Sequence, residues 1–507
     1  MHDWTQGYVA DVEYVYNFFK ELTPAHLALA MVSKGFRPPS WERGFSYCEV
    51  GFGQGVSINL LAAANPQGEF WGTDFNPSHA AGAQLFSRMA ETPNTRLFDR
   101  SFEEFVETDT PQFDFIALHG VYSWVSAQNR RNIVEIVKRK LKCGGALYLS
   151  YNTLPGWSAV MPLRELMQRH AALSTEPTAA RVERALSFAK RVADSKAAYF
   201  SAHPSIQQHL GSIMDQNRRY VAHEYFNTDW NPQYFSEVSG ELAAAKVVWA
   251  TSARLEDDIP VLTLTADAQK LLSEVGDPSL RETVRDYCNN TRFRRDVFVK
   301  GPLKLHAREQ VEHLGRTRFV LIVNRQDMKL SVNFGIGEVS LAPQVYGPLG
   351  DALAKAPHTL DELMAKPELK REGLHRVVQA LCVLVASEQA SPCVSAEHEE
   401  SAKASCDRFN AVVMDRARYA DEIRALASPV TGSGFNLGRV DILQLAAARK
   451  NGDLVKDTWD VLESQGQRLV KDGKVLTTPE ENLSELESKA VVFKEKALPV
   501  LRKLRIA

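Results

Sequence analysis

The chain has 507 residues, about three times the usual length of one domain, so two to four domains are expected. Hydrophobic residues make up 44% and charged residues 24%, close to the averages of soluble globular proteins, which excludes extensive disorder. Lys and Arg number 60 against 62 Asp and Glu, and this formal net charge of −2 gives no general attraction to nucleic acid or to an anionic membrane.

The sequence pattern gives little sign of a targeting segment or of a disulfide or metal-binding cysteine motif. The N-terminal residues have neither the basic start nor the apolar run of a signal peptide, and no stretch reaches the roughly 18 apolar residues of a membrane span. The six cysteines are scattered without a CxxC pair, which is typical of reduced thiols. We therefore expect a cytoplasmic protein with no disulfide, no structural zinc and no membrane partner.

Short apolar runs alternate with helical patterns from residue 47 onward. The runs cover residues 47–50, 70–73, 113–119 and 146–151. Between the last two runs lies a predicted helix over residues 129–141, which Gly144 and Gly145 should end before the next strand begins. This alternation predicts an α/β fold with a doubly wound, Rossmann-like, mainly parallel sheet and additional mostly helical domains.

The pattern divides the chain into five segments. They are an N-terminal lid at 1–40, the doubly wound domain at 41–158, a mostly helical cap at 159–300, a mixed α/β middle domain at 301–392 and a helical C-terminal domain at 406–507. A winged-helix-like module is one alternative for the middle domain. The polar segment 391–405 is the predicted linker, and Thr359 with Glu362 has the spacing of a capping box.

A glycine-rich segment follows the first predicted strand directly. It reads Glu49-Val50-Gly51-Phe52-Gly53-Gln54-Gly55, and its glycines let the backbone turn tightly and approach a ligand. The spacing is G-x-G-x-G, with Val56 where a dinucleotide motif would carry its third glycine. Asp74 ends the next strand, where a carboxylate can accept hydrogen bonds from both ribose hydroxyls. The order of these features predicts a nucleoside-bearing cofactor.

Three segments together resemble class I S-adenosylmethionine-dependent methyltransferases: the glycine motif with Asp74, residues 113–124, and residues 144–157. More narrowly, they resemble the bacterial group with a methyltransferase regulatory domain, which includes the rickettsial protein-lysine methyltransferases. The similarity is strong over about residues 8–160 and weaker through His223-Glu224-Tyr225-Phe226 and into the C-terminal third. It implies that 41–158 binds S-adenosylmethionine and that 159–300 is the regulatory domain.

The resemblance also implies roles for individual residues. Glu49, Gly51, Gly53 and Gly55 would cradle the methionine part, Asp74 the ribose, and Ser101 with Phe102 the adenine, with Asp99 as the nearest acid. The family often has an acidic residue where Ser101 stands. Further expected cofactor contacts are Phe52, Gln54, Phe75, Asn76, Gly120 and His119, and Tyr14 would close over the reactive end. The predicted catalytic residues are His119, Tyr122, Tyr151 and Asn152, with the acceptor pocket between the last two predicted strands.

Methyl transfer is an in-line displacement, so alignment supplies much of the acceleration. A lysine acceptor has a pKa of about 10.4 and must lose a proton, which a desolvated pocket favours. The resemblance therefore predicts methylation of protein lysine side chains by S-adenosylmethionine, with S-adenosylhomocysteine as product. Two alternatives stay open: a small-molecule or glycan O-methyltransferase, and a non-catalytic cofactor-binding regulatory protein.

The expected partner is a protein acceptor rather than nucleic acid, and a homodimer is an open option. No metal is expected, because His223-Glu224 lacks the second histidine of a helical zinc site.

Overall fold

The computed structural model describes residues 16–507. Its centre is a seven-stranded sheet in the order β3-β2-β1-β4-β5-β7-β6. Strands β1 to β5 are parallel, and β7 runs antiparallel to both of its neighbours. The strands are β1 (Phe45–Val50), β2 (Gly68–Thr73), β3 (Thr95–Phe98), β4 (Phe113–Leu118), β5 (Leu141–Asn152), β6 (Val247–Ser252) and β7 (Phe293–Lys300).

Helices cover both faces of this sheet and so bury its central strands. Every residue of β1 is buried, as expected for a parallel strand with a helical layer on each side. The first helices are α1 (Pro24–Ser33), α2 (Val56–Ala64), α3 (Pro77–Met89), α4 (Phe102–Glu107) and α5 (Ala127–Lys140). The predicted doubly wound fold class is confirmed.

The glycine stop predicted after α5 is wrong. The helix ends at Lys140 and β5 begins at the next residue, so both glycines lie inside the strand. Gly144 has φ +80°, and the register between β4 and β5 shifts between the pairs Phe113–Leu141 and Phe115–Ala146. The glycines therefore form a bulge in the strand rather than a helix cap.

A block of helices is inserted between β5 and the last two strands. We call residues 161–233 the helical unit; its helices are α6 (Met161–Ala171), α7 (Thr178–Asp194), α8 (Ala198–Ala202), α9 (Pro204–Asp215) and α10 (Arg218–Tyr225). It has a core of its own, with Leu163, Val182 and Ile213 fully buried. The chain then returns to the sheet through α11 (Phe235–Ala243), α12 (Pro260–Thr263), α13 (Ala266–Glu274) and α14 (Pro278–Asn289).

The boundary predicted at residue 158 therefore divides a single sheet. Strands β6 and β7 come from the predicted cap segment, and β7 pairs with β5 from Ala146 to Asn152. Sequence patterning missed this connection because the helical unit separates the paired strands along the chain.

The middle part of the chain combines a small sheet with helices. Its three-stranded sheet has the order β11-β8-β12, and β9 and β10 form a hairpin. The strands are β8 (Arg318–Leu321), β9 (Ser331–Phe334), β10 (Gly337–Ser340), β11 (His358–Thr359) and β12 (Ala390–Cys393). The helices are α15 (Ala307–Arg316), α16 (Pro343–Lys355), α17 (Leu360–Met364), α18 (Pro367–Glu372) and α19 (Leu374–Ala386). The capping box of Thr359 and Glu362 is confirmed.

The C-terminal part packs against the central sheet's helices. Most of the predicted linker at 391–405 is instead part of β12 and of α20. This segment is packed against the rest of the chain. Ser405, for example, lies against α2, where its Oγ donates to the Ala63 carbonyl at 2.6 Å. The remaining elements are α20 (Ala396–Arg416), β13 (Ala425–Ser428), β14 (Ser433–Asn436), α21 (Arg439–Arg449), α22 (Lys456–Ser464), β15 (Val470–Lys471), β16 (Lys474–Val475), α23 (Pro479–Val492) and α24 (Leu498–Lys503).

Candidate functional site

The turn between β1 and α2 has a shape that only glycine fits. Gly51 has φ +81°, and a Cβ there would lie 2.6 Å from Cγ2 of Val121. Gly55 has φ +70°, and a Cβ there would lie 2.4 Å from Cβ of Ala83. Both conformation and the neighbouring side chains therefore require glycine at these two positions, and the tight turn they form places Gly51 and Gly53 in the lining of a cavity.

Asp74 is tied to this turn. Its carboxylate accepts hydrogen bonds from the backbone N–H of Gly53 at 2.8 Å and of Asn76 at 3.0 Å, and Nδ1 of His79 lies 3.2 Å from it. The acid at the end of β2 is thus fixed next to the glycine turn, which lies at the end of β1.

Glu49 brings a second buried carboxyl group to the same edge. Its Oε2 has no hydrogen-bond partner among residues 16–507. Burial, with a smaller contribution from Asp74, raises the pKa of Glu49 to about 8. A positive charge beside this buried, unpartnered carboxyl group would lower its pKa and restore its ionised form. The group therefore favours a cation as its neighbour.

A cavity of about 480 Å³, the main cavity, opens where the strands end. Nine of the predicted site residues line it: Gly51, Gly53, Asp74, Phe75, Asp99, Ser101, Phe102, His119 and Gly120. This is the carboxyl edge of the parallel strands, the usual ligand site of open α/β sheets. The structure therefore brings the glycine turn, the β2 acid and the ends of β3 and β4 together around one space.

Other residues predicted to contact the cofactor do not line the main cavity. Glu49 and Phe52 are buried behind the turn, and Gly55 packs on Ala83. Asn76 caps α3 by accepting from the N–H of Ser78. Gln54 does not line the cavity either, and Tyr14 lies outside the described residues.

The predicted acceptor pocket is filled by packing. The Tyr122 hydroxyl donates to Glu241 at 2.5 Å and the Tyr151 hydroxyl to Asp296 at 2.7 Å, and both side chains are fully buried. Asn152 is also buried and donates its backbone N–H to Ser123. None of the three lines the main cavity. The hydroxyl of Tyr122 instead joins the loop after β4 to α11, and that of Tyr151 joins β5 to β7.

His119 lies in a cluster of four rings, which we call the ring cluster: Phe19, His119, Tyr148 and Phe293. Phe19 stacks on His119 with ring centroids 3.6 Å apart, and Nδ1 of His119 lies 2.8 Å from the Tyr148 hydroxyl. Burial, with a smaller effect from Arg295, lowers the pKa of His119 to about 3. The imidazole is therefore neutral at physiological pH and poorly suited to take up a proton.

One part of the main cavity, which we call the Phe102 end, is lined by the predicted Ser101 and Phe102 and by Trp124. Val125 packs on the hydrophobic cluster that contains Phe102. Four more lining residues were not assigned to the site by sequence patterning: Val125, Ser126, Asn129 and Asp229. Ser126 caps α5, so its S-x-x-N spacing was a usable signal. Nothing in the sequence pattern indicates Asp229, because the helical unit carries it.

Two absences concern only the part of the chain that the structure describes. Within residues 16–507, no group of three or more His, Cys, Asp or Glu side chains is arranged to hold a metal ion. Across the same residues, no helix combines the length and the apolar character needed to cross a bilayer.

The sheet order, the glycine turn and the acid after β2 define a class I methyltransferase fold. Two family models agree: a methyltransferase domain matches residues 48–147, and a predicted methyltransferase regulatory domain matches residues 217–300. An uncharacterised protein of Synechocystis sp. is 44% identical over 504 residues, which cover 99% of this chain and 100% of that protein. The chain belongs to the S-adenosylmethionine-dependent methyltransferases that carry a methyltransferase regulatory domain, and it is an enzyme of this class.

More distant relatives come from Rickettsia. An uncharacterised protein of Rickettsia prowazekii is 25% identical over 286 residues, 56% of this chain, and the match spans about half (51%) of that protein. The structure of PKMT2 from Rickettsia typhi in complex with AdoHcy superimposes with a TM-score of 0.70 at 18% identity, covering 97% of this chain and 99% of that one. At this identity the likeness concerns the fold.

Proposed function

We propose that this enzyme binds S-adenosylmethionine in the main cavity and methylates lysine side chains of proteins. Gly51 and Gly53 would lie along the methionine part, Asp74 would accept hydrogen bonds from the ribose, and Phe102 would contact the adenine. The unpartnered Oε2 of Glu49, buried behind the glycine turn, fits a cofactor whose end on that side is positively charged. When bound, S-adenosylmethionine supplies an electrophilic methyl group on a positively charged sulfur.

A second cavity of about 360 Å³ supports a separate route for the acceptor. Phe19 lines this second cavity, while its stacking partner His119 lines the main cavity. One stacked ring pair therefore separates the two spaces. An acceptor group entering from the second cavity would meet the reactive end of the cofactor once Phe19 turns aside.

The observation that carries the choice of an amine acceptor is the burial of His119 between Phe19 and Tyr148, which lowers its pKa. A hydroxyl acceptor needs a base with a pKa near neutrality, and His119 at about 3 does not provide one. An amine needs no base if its surroundings remove its proton. Burial and Arg295 lower the pKa of His119, and they would lower the pKa of a lysine amine placed beside it in the same way.

A protein acceptor is supported by the walls of the second cavity, which come from distant parts of the chain. Glu21 and His26 lie at the N-terminal side, Arg295 on β7, Val385 in the middle part and Asn436 in the C-terminal part. Glu21 pairs with Arg295 at 2.9 Å; burial alone would raise the pKa of Glu21, but Arg295 and His26 hold it below its ordinary value. The superposition on PKMT2 along nearly the whole chain also favours this substrate class.

The proposal is tested by incubating the enzyme with methyl-labelled S-adenosylmethionine and fractionated bacterial proteins, then hydrolysing the labelled protein to amino acids. We expect label in Nε-methyl-lysine, and its loss when the acceptor proteins are first methylated chemically at their lysines. Label in a base-labile ester, or in a fraction without protein, would contradict a lysine acceptor.

A further inference from the structure

The helical unit supplies one wall of the main cavity through a single acidic residue. Asp229 lies in the segment between α10 and α11 and lines the Phe102 end of the main cavity. It is half-buried, and the apolar side chains of Phe102, Trp124 and Val125 line the same end. A carboxylate in such surroundings forms strong hydrogen bonds with a donor that enters the cavity.

The backbone that follows Asp229 is held in place by contacts of the next two residues. The N–H of Asn231 donates to the Ser123 carbonyl at 2.7 Å, which joins this segment to the loop after β4. Trp230 packs on Trp157 with ring centroids 5.2 Å apart, and the guanidinium of Arg164 lies 4.7 Å from the Trp230 ring centroid. The position of Asp229 is therefore set by how the helical unit packs against the sheet.

The other acids at this end are engaged or exposed. The Glu104 carboxylate accepts from both the backbone N–H of Ser101 at 2.8 Å and its hydroxyl at 2.9 Å, which closes the capping box of α4. Asp99 is exposed to solvent. Asp229 is thus the half-buried carboxylate at this end that the capping box does not use.

We propose that Asp229 accepts a hydrogen bond from the 6-amino group of the cofactor's adenine, so that the packing of the helical unit sets cofactor affinity. Phe102 is the proposed adenine contact, and Val125 packs on the hydrophobic cluster that contains Phe102. The side-chain amide of Asn231, two residues after Asp229, donates to the Val125 carbonyl at 3.4 Å, which brings Asp229 to the adenine side of the cavity. The inference rests on the cofactor site proposed above. It gives the regulatory module a physical means of control, because any partner that moves the helical unit moves an adenine contact.

The test compares S-adenosylhomocysteine with S-inosylhomocysteine, which carries a 6-oxo group instead of the 6-amino group, by calorimetric titration. We expect the wild-type enzyme to bind the adenosyl compound at least about tenfold more tightly, since a carboxylate accepts from the amino group and repels the oxo group. In Asp229→Asn this preference should fall to about one, because an amide can donate to the oxo group. Asp229→Ala should also lose the preference. Asp215→Asn, which removes an exposed acid at the end of α9, should keep it.

The outcomes distinguish failure of this inference from failure of the proposed cofactor site. A merely structural role for Asp229 would weaken both ligands equally and leave their ratio unchanged, which would overturn the inference. An unchanged ratio in folded Asp229→Ala, or an equal loss in Asp215→Asn, would do the same. If the wild-type enzyme binds neither compound, the proposed cofactor site itself fails.

Discussion

The glycine turn and the ring cluster differ in how the chain builds them. The glycine turn and Asp74 come from residues 49–76, and they act through backbone shape: two glycine positions that exclude a Cβ and a carboxylate fixed by backbone N–H groups. The ring cluster joins Phe19, His119, Tyr148 and Phe293 from distant segments, and it acts through burial and the charge of Arg295. The surface proposed for the methionine and ribose parts of the cofactor is therefore built locally, whereas the surroundings proposed for the acceptor depend on the whole fold.

The largest effect on ligand affinity should come from a substitution in the glycine turn. In Gly51→Val the new side chain meets Val121 and the backbone leaves φ +81°, so the turn can no longer lie against a ligand. We expect affinity for S-adenosylhomocysteine to fall at least about 100-fold, equivalent to roughly 2.7 kcal/mol, in calorimetric titration.

The matched control is Gly82→Ala, since a Cβ at that position in α3 meets nothing within 4 Å. Binding should be unchanged in this variant. Near-normal binding by folded Gly51→Val would show that the ligand does not lie on the turn.

A smaller, pH-dependent effect on affinity should show the role of the Glu49 charge beside the glycine turn. Because the pKa of Glu49 is raised to about 8, its carboxyl group is neutral below that pH and ionised above it. The α-ammonium of S-adenosylhomocysteine is a cation that would favour the ionised form. Affinity for this ligand should therefore rise with pH, by about tenfold from below pH 7 to above pH 8 if binding lowers this pKa by one unit. Glu49→Gln should remove the rise. A rise that persists in Glu49→Gln would assign it to another group.

The same difference explains what sequence could and could not predict. The glycine turn and Asp74 follow strand ends at short range, so strand and glycine patterns were enough to find them. The family resemblance added further lining residues, such as Ser101, Phe102 and His119. Tyr122 follows β4 and Tyr151 lies at the end of β5, but their partners Glu241 and Asp296 belong to other elements. Only the fold shows that these two side chains are used in packing.

Asp229 and the two last strands were missed for a related reason. Strands β6 and β7 are separated from β5 by the helical unit, and their pairing depends on contacts far apart in the chain. Asp229 carries no motif, and it reaches the cavity only because Trp230 and Asn231 pack against the sheet. Long-range packing of this kind leaves no periodic signal in a single sequence.

The central claim is that the fold, rather than a catalytic base, makes the acceptor amine reactive, and the pH dependence of single-turnover lysine methylation tests it most directly. We expect the rate to rise with pH at an apparent pKa well below the ordinary 10.4 of lysine, because burial and Arg295 both favour the neutral amine. Arg295→Gln should move that pKa upward, and His119→Asn should leave its position unchanged. An apparent pKa near 6.5 that disappears in His119→Asn would contradict the account and identify His119 as the base.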